Sequence, residues 1–126
     1  MGLIHTEITL RNPRYPELRP IVTKALVDTG AITLCIPEHI ALQLKLDELE
    51  KREVTIADGS KKFVPYVGPV QTTFENRGSF CGAMVMGNTV LLGAIAMEDM
   101  DLIISPKKQS IEVNPDSPNI PSAVVM

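Results

Sequence analysis

Chain-breaking residues recur through this sequence, and most of the segments between them read as short strands. Ten prolines and eight glycines punctuate 126 residues. Proline removes a backbone N–H, and glycine admits conformations that other residues avoid. The intervals mostly alternate between apolar and polar with a period of two. In residues 4–10, Ile4, Ile8 and Leu10 share one face, and Glu7 and Thr9 share the other. "RNPRYPELRP" ends that strand, because its three prolines cannot sit in a central strand. Residues 21–27 read as the next strand, and residues 33–36 as a short apolar one.

"PEHIALQLKL" departs from the pattern and reads as a helix. Pro37 suits its first turn, Glu38 suits its positive end, and Ile40, Ala41 and Leu44 form one face. "EVTIADGSKKFVPYV" reads as a hairpin with a two-residue turn at Asp58-Gly59, both of which tolerate positive φ. Gly68-Pro69 breaks its return arm. A second hairpin follows around Asn76-Arg77-Gly78, then a buried strand at 90–92 that ends at Gly93. "AIAMEDM" has the composition for one or two helical turns. A last hairpin turns around residues 106–109. "NPDSPNIPSAVVM" reads as a surface or fraying tail. The expectation is an all-β, closed barrel with one short α-helix. Residues 1–115 form the domain and residues 116–126 a Pro-rich tail.

Composition narrows the function. Apolar residues make up 44% of the chain, the range of a packed domain, and the length suits one core. The net charge is −3 and the basic residues fall in scattered pairs: Lys51-Arg52, Lys61-Lys62 and Lys107-Lys108. Each pair reads as a solvated edge or turn, so no nucleic-acid partner is expected. Cys35 and Cys81 lack metal-ligand spacing; the sequence leaves a disulfide between them open and favours two free, mostly buried thiols in a reducing compartment. His5 and His39 stand alone, so no metal is expected. The N-terminus turns polar within a few residues, and the longest apolar run, 90–97, is too short to span a bilayer. The expected setting is cytoplasmic, with no membrane partner.

The chemistry concentrates in "ALVDTGA". Asp28 ends an apolar strand, so its carboxylate is partly desolvated and needs hydrogen bonds. Thr29 and Gly30 offer backbone N–H groups. On its own this would be a turn of the kind Asp favours. One aspartate can act as a general base, but amide hydrolysis also needs a proton for the leaving amine. Two facing carboxylates share one proton and so supply both roles. The chain holds one Asp-Thr-Gly, so the second would come from another copy across a two-fold axis.

These segments together resemble the retropepsin-like, single-lobe aspartic proteases. "ALVDTGA" is similar to their catalytic loop, and "VTIADGSKKF" lies where they place a flap hairpin. "VLLGAIAM" resembles the apolar-apolar-Gly segment that threads beside that loop, and "DLIISPKKQSIEVNP" resembles the closing hairpin of bacterial members. The resemblance implies a homodimeric aspartic endopeptidase without a cofactor. Asp28 would be the acid or base, Thr29 would lock the paired loops, and Gly30 would leave room for substrate. Ala31 and Ile32 would line the floor. Ala57, Asp58 and Gly59 would close over an extended peptide. Where retroviral members carry a paired Asp and Arg, this chain has Ile32 and Ala94, which implies a changed apolar packing there. The alternative is a dimeric peptide-binding module of the same fold that cleaves nothing.

Overall fold

The computed structural model describes residues 3–125. Nine strands and two short helices follow one another in it: β1 His5–Arg11, β2 Ile21–Val27, β3 Leu34–Ile36, α1 Glu38–Gln43, β4 Asp47–Thr55, β5 Lys61–Phe74, β6 Arg77–Val85, β7 Val90–Leu92, α2 Ala94–Asp99, β8 Leu102–Ser105 and β9 Ser110–Val113. Six strands close a barrel in the order β1-β2-β7-β3-β6-β5. The seam is a β1–β5 pairing of Thr9 with Thr73, Leu10 with Thr72 and Arg11 with Gln71. Among the described residues β4 pairs only with β5, outside the barrel, and β8–β9 form a separate ribbon.

The alternation read from the sequence is what closes this barrel. Ile8, Leu10, Ala25, Leu34, Val70 and Leu92 point inward and are almost fully buried, along with Ile36 and Ala83. Ile40 and Ala41 of α1 and Leu44 just after it join the same core, as do Ala96, Met97 and Met100 around α2. Burying each of the Val, Leu, Ile and Met side chains stabilises the fold by roughly 1.5–3 kcal/mol, and each Ala by less. The shortage of aromatic residues is thus met by aliphatic and Met packing.

Several local expectations are corrected. There are two short helices, not one, because "AIAMED" forms α2 directly after Gly93. The Asp58-Gly59 turn spans three residues. Ile56 N–H donates to Ser60 O at 2.9 Å, leaving Ala57, Asp58 and Gly59 as the loop, and of these only Gly59 has positive φ, at 86°. Gly68-Pro69 does not end the return arm. β5 runs on through it, with a register shift against β6 between Val67 and Val70. An extra residue there accommodates a proline that has no N–H to give the ladder. The second hairpin turns at Glu75-Asn76, since Phe74 pairs with Arg77, and Glu75 takes the left-handed conformation at φ 51°.

The C-terminal segment is tied down. Asp101 leaves α2 and accepts hydrogen bonds from Ser117 Oγ at 2.5 Å, Ser122 N–H at 3.0 Å and Asn114 Nδ2 at 3.1 Å. These bonds hold its carboxyl down at about 2, the Ser117 hydroxyl most of all, with the Arg77 charge adding a little. Arg77 is itself buried and donates to the Ser117 carbonyl. A sequence scan that sees only prolines misses this, because the anchor is a single carboxylate at positive φ.

Candidate active site

β2 delivers Asp28 because it is a barrel strand with a parallel neighbour. Ala25, Leu26 and Val27 pair with Val90, Leu91 and Leu92 of β7. One further bond extends the ladder, from Asp28 N–H to Leu92 O at 3.0 Å. The chain then turns: Ala31 N–H donates to Asp28 O at 3.1 Å, and Gly30 N–H donates to Asp28 Oδ1 at 3.0 Å. Asp28 is half-buried, while Thr29 and Gly30 are exposed. The carboxylate therefore has one oxygen held by a backbone amide, and it makes no ion pair among the described residues.

Gly30 is closely packed, and its φ is not positive. A Cβ there would stand 3.1 Å from Asp28 Oδ1, so the carboxylate would have to give by a few tenths of an ångström. Gly93 shows the stronger constraint. A Cβ on it would lie 2.6 Å from Thr33 O and 2.8 Å from Ala31 O, closer than real side chains come. The loop is thus seated on the β7–α2 junction, and two more bonds clamp it: Ala94 N–H to Ala31 O and Ile95 N–H to Ile32 O, each 2.9 Å. Thr33, buried at the far end of the loop, donates its hydroxyl to Gly82 O at 3.2 Å.

At the positions where apolar packing was expected, Ile32 is 71% exposed and Ala94 is half-buried. Cys35 lies behind the loop. Burial pushes its thiol up, and the nearby Asp28 charge pushes it further. Cys81 is also free.

Of the residues singled out in the sequence, Asp28, Thr29, Gly30, Ala31 and Ile32 come together in one clamped loop. Ala57, Asp58 and Gly59 form the exposed tip of the β4–β5 hairpin. Asp58 there accepts from Ser60 N–H at 2.8 Å, and its carboxyl is held down by Ser60, first through the hydroxyl and then through the amide. No hydrogen bond joins this tip to the Asp28 loop among the described residues. Beside Thr29 an open depression of about 480 Å³ is lined by Ala94, Met97, Glu98, Leu102, Ile103 and Ile104.

One contributor went unnoticed in the sequence. Asn12 is buried and donates Nδ2 to Leu44 O at 2.8 Å, closing the end of α1 where Lys45 turns to φ 51°. The Asn-Pro pair was a usable signal for it. Tyr66, whose place in the sequence made it a candidate to approach the base of the hairpin, lies against Gly82, the acceptor of the Thr33 bond. Its contact with Gly82 depends on which strands meet. Among the described residues no trio of His, Cys, Asp or Glu gathers as metal ligands, and no helix is long and apolar enough to cross a membrane.

No protein-family model matches the chain, and no curated protein matches its sequence.

Proposed function

We propose that this chain is a retropepsin-like aspartic endopeptidase, active as a homodimer in the cytoplasm, in which Asp28 of each subunit supplies half of a catalytic pair. The observation that carries this reading is the clamped loop: a half-buried carboxylate, fixed by Gly30 N–H, at the end of a barrel strand and seated on Gly93. A surface turn has no need of that support.

The mechanism follows from one carboxylate per chain. Two facing carboxylates a few Å apart cannot both ionise, so the pair keeps one proton and titrates as a unit. The ionised member takes a proton from a water, whose oxygen attacks the peptide carbonyl carbon. The protonated member gives its proton to the carbonyl oxygen. A proton then passes to the amide nitrogen, the C–N bond breaks, and the products are an acid and an amine. Thr29, exposed beside Asp28, is available to hydrogen-bond the partner loop. Ala31 and Ile32 form the floor, and the tip at Ala57, Asp58 and Gly59 closes over an extended peptide and excludes water. The chemistry calls on no metal or cofactor.

The test is a peptide-library digest from acidic to neutral pH with wild type and Asp28→Asn. Cleavage that is strongest at acid pH and lost in the variant supports the proposal. Peptide capture without cleavage by wild type points instead to a binding module of the same fold.

A further inference from the structure

The hairpin that carries Ala57, Asp58 and Gly59 has few ties to the barrel. β4 is exposed along almost its whole length and has one neighbouring strand. Its free edge bears Asp47, Glu48, Glu50, Lys51, Arg52 and Glu53, charges that discourage pairing with another strand. An exposed ion pair joins its first residue, Asp47, to Arg14 at 3.0 Å, and one aromatic ring stands where the angle of the hairpin to the barrel can be set.

Tyr66 lies on β5 and pairs with Glu50 of β4 on one side and Met84 of β6 on the other. The Arg52 guanidinium lies over its ring, 3.9 Å from the centroid, and Arg52 Nε is also bonded to the Glu50 carboxylate. The phenol end of the ring rests on Gly82. A Cβ at Gly82 would fall 2.2 Å from Tyr66 Cζ and 2.5 Å from Oη, so the ring occupies the space of the missing side chain. Gly82 also accepts the Thr33 hydroxyl bond at the end of the Asp28 loop. One residue of β6 therefore meets both the hairpin and the loop.

We propose that Tyr66 is a positioning residue: docked on Gly82 and capped by Arg52, it fixes the stance of the β4–β5 hairpin relative to the Asp28 loop. The contact is one of shape and stacking. Tyr66→Phe therefore keeps it, Tyr66→Ala empties it, and Gly82→Ala expels the ring. The consequence for cleavage rests on the proposed endopeptidase reading, whereas the stance of the hairpin does not.

The primary experiment is hydrogen exchange on the full chain, wild type against Tyr66→Phe, Tyr66→Ala, Arg52→Ala, Gly82→Ala and the Tyr66→Ala/Gly82→Ala double variant. Tyr66→Ala should speed amide exchange in β4 about tenfold while the barrel strands hold their protection, and Tyr66→Phe should match wild type. Arg52→Ala, which leaves Gly82 untouched, should shift β4 in the same direction. Gly82→Ala should add little once the ring is gone. With a cleavable peptide, Tyr66→Ala should raise KM about fivefold and leave kcat within about twofold. Unchanged β4 exchange in Tyr66→Ala, or additive effects in the double variant, overturns the proposal. If β4 exchange responds as described and wild type cleaves no peptide, the stance holds and the endopeptidase reading fails.

Discussion

Gly93→Ala puts a methyl group where the structure has backbone. The new Cβ would stand 2.6 Å from Thr33 O and 2.8 Å from Ala31 O. Carbon–oxygen contacts of this kind settle at about 3.3–3.6 Å, so both carbonyls must withdraw by about half an ångström or more. Neither belongs to a flexible side chain. Overpacking of this kind costs about 1–3 kcal/mol. The displaced loop also strains the bonds from Ala94 and Ile95 to Ala31 and Ile32, each with a net worth of about 1 kcal/mol. A loss of about 3 kcal/mol is expected, a large share of the roughly 5–15 kcal/mol that holds a domain together. At this chain length it corresponds to a fall in Tm of roughly 10 °C. Urea unfolding measures it as a lower midpoint at unchanged slope. Gly78→Ala is the control, because its Cβ would meet nothing nearer than 3.8 Å, and it should stay within about 0.5 kcal/mol of wild type. A Gly93→Ala variant as stable as that control would refute the claim that the loop is seated on the β7–α2 junction.

Three further outcomes follow from the same geometry. The Asp101 carboxyl is held at about 2, below its ordinary 3.8, so its contribution to stability is full above the unfolded value and is lost as pH falls through about 2. Urea midpoints taken down that acid limb should therefore fall less steeply in Asp101→Asn, and proteolysis after residue 113 should quicken; identical acid limbs would contradict the anchor. Burial, with the Asp28 charge second, keeps Cys35 a protonated thiol, so a disulfide reagent should modify it slowly at neutral pH. Asp28→Asn should speed that reaction modestly at alkaline pH, and a rate equal to that of an unfolded thiol in the native protein would be inconsistent with the site. Asn12→Ala leaves the buried Leu44 carbonyl without its donor and should cost about 1–3 kcal/mol by chemical denaturation, with no loss meaning that α1 is closed in another way.

The parts of this fold that were legible in the sequence are those fixed by neighbours in the chain. The period-two alternation in β1 and β2 and the apolar run of β7 came out within a residue or so of their observed bounds, and α1 starts behind Pro37 as read but ends at Gln43, three residues before the end of the stretch read as helix. Asp28-Thr29-Gly30 also stood out as a unit, because an apolar strand ending in a carboxylate and a glycine is a local pattern. Features set by pairing were harder to see. The turn at Ala57-Asp58-Gly59 gained a residue because the partner strands fix its register, and Pro69 sits in a bulge because β6 runs past it. Arg77, read only as part of a turn, is buried, and Asp101 holds the C-terminal segment. Which strands meet decides what lies on Gly82 and Gly93, and the order of residues carries little sign of it.

The claim that two subunits contribute one acid each is tested most directly by mixing. Wild type and Asp28→Asn are combined at fixed total concentration, allowed to exchange subunits, and assayed for peptide cleavage. Random pairing makes the fraction of intact pairs the square of the wild-type fraction, so an equal mixture should retain about one quarter of the activity. Retention of about one half, the value for independent subunits that each cleave alone, would contradict the account.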